Sequence, residues 1–85
     1  MLSNELRKGD RVVMAGTGWN ATIMDNAKGN IRIADVEGFF REMGSVYVWD
    51  IAYKVNADGT HEPIDLTPKQ EKDRGNVRGF MSSIL

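Results

Sequence analysis

The chain has 85 residues, no cysteine and a net charge of −1, which leaves room for one small domain. The missing cysteines remove disulfides, thiolate metal sites and cysteine nucleophiles together, and for so small a domain they predict a reducing, cytoplasmic setting. Charge is even, with seven Lys/Arg against seven Asp/Glu over residues 1–55 and four against five over 56–85, so no overall basic excess draws the chain to phosphate backbones.

Met1–Arg7 reads as a loose lead-in or a single helical turn. Asp10–Ala15 follows Lys8-Gly9 and carries a β-branched pair, which suits a half-buried strand. Gly16-Thr17-Gly18 breaks it. Trp19–Asp25 alternates, with Trp19, Ala21 and Ile23 on one face and Asn20, Thr22 and Met24 on the other. Asp25–Asn30 holds turn-tolerant residues and predicts a hairpin loop.

Asn30–Glu37 continues as a strand, with Ile31 and Ile33 opposite Arg32, Ala34 and Val36. Gly38–Gly44, bounded by glycines, reads as a loop or short crossover carrying Phe39 and Phe40. Ser45–Val55 is the longest β-type run, and one of its faces carries Tyr47, Trp49, Ile51, Tyr53 and Val55 without interruption. Asp58-Gly59 is the strongest hairpin signal in the chain. His61–Leu66 can return only as an edge strand, because Pro63 has no N–H to donate.

The end of the chain changes character. Thr67, Pro68 and Gln70 form a helix start, with Thr67 as N-cap and Gln70 completing a capping box, and the helix is predicted to run to Arg74. Beyond Gly75-Asn76, the residues Val77, Phe80, Met81, Ile84 and Leu85 recur at the spacing of one helical face. Gly75 and Gly79 oppose that second stretch by about 1 kcal/mol each. No apolar run approaches membrane-spanning length. Short strands joined by glycine-rich turns predict a mainly β domain, a small barrel or strongly bent sheet.

Lys8-Gly9-Asp10-Arg11-Val12-Val13, then Gly18, Ala21-Thr22-Ile23 and Ile31-Arg32-Ile33, resemble the KOW-type opening of SH3-like barrels. The resemblance spans about thirty residues. It implies an SH3-like barrel of about five short antiparallel strands over residues 1–66, with a C-terminal helical tail over 67–85 packed on the barrel or at an interface. Members of that family contact RNA, DNA or polymerase. The chain departs from the pattern at Gly18-Trp19-Asn20-Ala21, where a Gly-x-x-Gly stretch is usual. Val36-Glu37-Gly38-Phe39-Phe40 with Gly44-Ser45-Val46-Tyr47-Val48 also resembles small accessory proteins of bacteriophages and prophages.

Catalysis has little to work with. His61 is the only histidine and sits beside a turn, Gly16-Thr17-Gly18 lacks the spacing and the lysine of a phosphate loop, and no glutamate closes Asn56–Thr60 as a calcium loop. The expectation is a non-catalytic binding module without cofactor or metal, which contacts a protein rather than nucleic acid and does not enter a membrane. Its candidate protein-contact residues are Phe39, Phe40, Val77, Phe80, Met81, Ile84 and Leu85, and a homodimer through the tail is one destination for the apolar stripe. The rival expectation is a nucleic-acid binder using Lys8, Arg11, Lys28 and Arg32 with Trp19 as a stacking platform. Trp49 and Ile51 are expected in the core.

Overall fold

A computed structural model describes residues 1–25, 29–38 and 40–84, with side chains described through Val77. The strands are β1 (Arg11–Met14), β2 (Asn20–Asp25), β3 (Ile31–Glu37), β4 (Arg41–Tyr47), β5 (Ile51–Val55) and β6 (His61–Pro63), followed by one helix, α1 (Pro68–Ile84). Short 3-10 turns stand at Ser3–Glu5 and Val48–Asp50. The strands form one antiparallel sheet in the order β4-β3-β2-β1-β5-β6. The mainly β class with a C-terminal helix is as expected. The sheet, however, has six strands and is open, because β4 and β6 end the ladder without pairing to each other. Pro63 and the three-residue length of β6 leave that edge little with which to close a barrel.

The core sits in the bend of this sheet. Val12 and Met14 from β1, Ala21 and Ile23 from β2, Ala34 from β3 and Ile51 from β5 are buried together with Leu6. Each fully buried branched side chain contributes on the order of 1.5–3 kcal/mol. Register shifts at Val13/Met14 and Ile23/Asp25 mark irregularities that let a sheet bend sharply. The opening segment is part of this core rather than a loose lead-in. Leu2 forms a parallel bridge with Asp65, Ser3 N–H donates to the Asp65 carbonyl at 3.0 Å, and Leu6 is 1% exposed.

Ser45–Val55 is not one strand. A chain that pairs with β3 must leave that edge to reach the far side of β1, and the 3-10 turn at Val48–Asp50 makes the crossing. Val48 is fully buried at the turn, with its N–H on the Asn30 carbonyl at 2.9 Å. The turn destroys the uninterrupted face. Ile51 is in the core as expected, but Trp49 is only half-buried, stacked on exposed Tyr47 with ring centroids 4.5 Å apart. The Asp58-Gly59 turn forms as predicted, with Gly59 at φ +86°, a conformation that favours glycine.

Thr67 and Gln70 form the expected capping box: Gln70 N–H donates to Thr67 Oγ1 at 3.2 Å and Thr67 N–H to Gln70 Oε1 at 2.9 Å. The helix then runs unbroken through Gly75 to Ile84, where the sequence predicted an interruption. Glycine weakens a helix but, unlike proline, leaves the ladder donor in place. A buried polar cluster fixes how the helix departs. Gln70 Oε1 also accepts from the Ser3 hydroxyl, Gln70 Nε2 donates to the Gly29 carbonyl at 3.0 Å, and Asn30 Nδ2 donates to Asp73 Oδ2 at 3.0 Å.

Candidate functional site

The strand registers bring the charged side chains of the outer face into rows. Arg11, Thr22, Asp35 and Met43 lie opposite one another across β1 to β4, and Asn20, Glu37 and Arg41 form the next row. Arg11 donates to Thr22 Oγ1 at 3.1 Å and to Glu37 Oε2 at 3.0 Å. Arg41 binds Asp35 through Nε at 3.0 Å and Nη2 at 2.8 Å. Hydrogen bonding from Arg41 holds the Asp35 carboxyl below the usual carboxylate range, and the same bond raises the Arg41 pKa. The candidate Arg11 and its neighbour Arg41 on this face are thus both matched by acids.

Arg32 is a correction. It was expected on the surface as a nucleic-acid contact, yet it is 1% exposed and shares the inner face with Ala34. Its Nη1 donates to the carbonyls of Gly29 at 3.0 Å and Ile31 at 2.8 Å, and its Nη2 to Ser3 O at 3.3 Å and Asn4 Oδ1 at 3.2 Å. Burial pulls its pKa down from the ordinary arginine value. A guanidinium wrapped by carbonyls in this way cannot reach a phosphate. Lys8 is exposed in a turn where Arg7 N–H donates to Asp10 Oδ2 at 2.8 Å. Lys28 lies outside the described residues.

The aromatic candidates separate as well. Trp19 is 43% exposed at the rim, its ring lying against Gly38. Phe40 is 75% exposed in the β3–β4 turn, and Phe39 lies outside the described residues. His61 is exposed and stacks on Tyr53 with centroids 4.2 Å apart. Val77 is half-buried. The side chains of Phe80, Met81 and Ile84, and the whole of Leu85, lie outside the described residues, so the tail stripe is placed only by its spacing on a continuous helix.

The sequence missed the outer edge of β4, because it read residues 38–44 as a loop. The Val48 N–H bond to the Asn30 carbonyl continues the β3–β4 register by one pair. Antiparallel pairs alternate, so Glu42, Gly44 and Val46 direct their backbone groups to β3. Arg41, Met43, Ser45 and Tyr47 therefore direct theirs to the open side. Met43 is 64% and Tyr47 39% exposed on that strand. On the inner face a shallow depression of about 290 Å³ lies over Gly44, lined by Val36, Glu42 and Val46 among others. Edge strands are usually blunted by proline, lysine or short length. β6 has proline and short length, whereas β4 has neither proline nor lysine over seven residues and its two charges, Arg41 and Glu42, stand at one end.

Among the described residues no group of three or more His, Asp or Glu is placed to hold a metal ion, and no helix is long and apolar enough to cross a membrane. Fold and edge together define a small, open, mainly β sheet with one unblunted edge strand. No protein-family model matches the chain, and comparison with curated proteins and with solved structures finds no match either.

Proposed function

We propose that the chain is a non-catalytic protein-interaction module that takes up a partner by strand addition to β4, as an adaptor or inhibitor. The observation that carries this reading is the set of outward N–H and C=O groups on Arg41, Met43, Ser45 and Tyr47, flanked by exposed apolar side chains. Main-chain hydrogen bonds from such an edge supply affinity, and alternate side chains supply selectivity. The pairing of Arg11 and Arg41 with acids and the burial of Arg32 weigh in the same direction, since they neutralise or bury the arginines of the sheet. The resemblance to phage accessory proteins fits a module acting on another protein, and the cysteine-free composition fits the cytoplasm.

The test is capture from bacterial lysate with and without nuclease, using the wild-type chain and Ser45→Pro. Proline at Ser45 removes an outward donor while leaving the β3 ladder intact. A partner that survives nuclease and is lost with Ser45→Pro supports strand addition. Recovery that collapses on nuclease and ignores Ser45→Pro overturns it in favour of the KOW-type reading. One observation favours that second reading: Trp19 keeps part of its ring in solvent at the rim, where stacking of a base would be worth about 1–3 kcal/mol. It requires binding that falls steeply with salt.

A further inference from the structure

We infer that the strand added to β4 is β4 of a second copy, antiparallel to the first about a two-fold axis through Gly44; this rests on the strand-addition reading above. The outward backbone groups belong to Arg41, Met43, Ser45 and Tyr47, a set symmetric about Gly44. Pairing Arg41 with Tyr47 of the other copy, and Met43 with Ser45, satisfies every outward N–H and C=O of the strand. The alternation also agrees. In this register the outward-facing residues form the hydrogen-bonded pairs, while Gly44 meets its own copy in a non-hydrogen-bonded pair.

Charge and shape agree with the same register. The strand has its charges at one end, Arg41 and Glu42, and uncharged Val46 and Tyr47 at the other. Antiparallel pairing about Gly44 sets the charged end of each copy against the uncharged end of its mate, so no like charges face each other. The Arg41 guanidinium then comes beside a Tyr47 ring, a favourable cation–aromatic contact. A register centred on Glu42 would instead oppose two carboxylates, which is destabilising. At the axis the Cα atoms of such a pair approach to about 4.5 Å. Gly44 presents no side chain there, and even an added Cβ would meet nothing within 4 Å in the single chain.

The alternative self-pairing, β4 on β6 of the next copy, would be head-to-tail and open-ended. Pro63 and the three-residue length of β6 disfavour it. The two-fold arrangement closes on itself and pairs the unblunted edge, setting Met43 beside Ser45 and Tyr47 beside Arg41 of the other copy.

The chain has no cysteine, so Gly44→Cys introduces a lone thiol at the proposed axis. The pair distance there lies within the range that a disulfide spans. Sedimentation across a concentration series should show the wild-type chain as a dimer, and Ser45→Pro should weaken that dimer by about tenfold or more. Mild oxidation with oxidised glutathione should convert Gly44→Cys to a covalent dimer, while Ser45→Cys, opposite Met43 rather than itself, stays uncrosslinked. Circular dichroism of each variant reports whether it has folded. A folded wild-type monomer at every concentration overturns the inference. A dimer in which Gly44→Cys fails to crosslink, or which ignores Ser45→Pro, also overturns it. If the chain is monomeric but Ser45→Pro still abolishes capture of a lysate partner, strand addition stands and the second copy falls. If capture also ignores Ser45→Pro, both fall.

Discussion

The Trp19 ring lies against Gly38, so close that a Cβ added at Gly38 would come within 2.6 Å of ring atoms Cδ2 and Cζ3. The contact joins the start of β2 to the turn that leads into β4, one row above Ala21 and Val36. It explains how a large aromatic can be 43% exposed and still be held in place. Gly38→Ala should displace the indole and destabilise the domain by about 1–3 kcal/mol, the usual cost of overpacking. Urea titration gives that number. Tryptophan emission in a Trp49→Phe background should shift to the red, and an unshifted emission with unchanged stability would contradict the contact.

Arg32 is expected to matter to the fold and not to a ligand. Arg32→Ala leaves the carbonyls of Gly29, Ile31 and Ser3 and the Asn4 side chain without this donor. Losing a buried charged donor whose Nη1 and Nη2 serve these four acceptors, with Nε unpaired among the described residues, costs about 3–5 kcal/mol, a large share of a small domain's stability. Thermal melting should show a chain that is unfolded or barely folded. A well-folded Arg32→Ala with weakened nucleic-acid binding would restore Arg32 to the contact set.

The Gln70 cluster makes the helix and the N-terminal turn depend on each other. Gln70→Ala removes the capping-box partner, the acceptor for Ser3 and the donor to Gly29 together. A loss of about 1–3 kcal/mol is expected, accompanied by lower helical ellipticity. Gly75→Ala should do the reverse and stabilise the chain by about 1 kcal/mol, since its added methyl meets nothing within 4 Å.

Acid should act through Asp35 and Asp58. Both carboxyls are held below their usual range, Asp35 chiefly by its hydrogen bond from Arg41 and Asp58 by those from Thr60. A carboxyl with a depressed folded-state pKa contributes stability above its unfolded value of about 3.9, and that contribution is lost as pH falls through the lower folded value. Stability should therefore be flat from neutrality to about pH 5 as far as these groups are concerned, and fall below pH 4. Asp35→Asn should make that acid limb shallower, as read from melting temperature against pH.

Much of the fold was legible locally. The alternation of β2, the Asp58-Gly59 turn, Pro63 on an edge strand and the Thr67–Gln70 capping box are all set by neighbours within a few residues. The burial of Arg32 was not, because β3 carries two apolar residues on each face: Ile31 and Ile33 on one, Ala34 and Val36 on the other. Periodicity alone could not choose between them. The break between β4 and β5 is a long-range matter too, since only the demand that β5 reach the far edge of β1 puts a turn at Val48. For the same reason the candidate edge was invisible. Met43 looks unremarkable in sequence and becomes conspicuous only when strand order places it on the rim.

The most direct test of the account is residue-resolved amide hydrogen exchange, compared between dilute and concentrated protein. The N–H groups of Glu42, Gly44 and Val46 face β3 and should be protected at both concentrations. Those of Met43, Ser45 and Tyr47 should exchange fast when dilute and become protected when concentrated. Exchange at these three residues that stays fast when the protein is concentrated, with protection appearing along residues 77–84 instead, would contradict the account and move association to the tail.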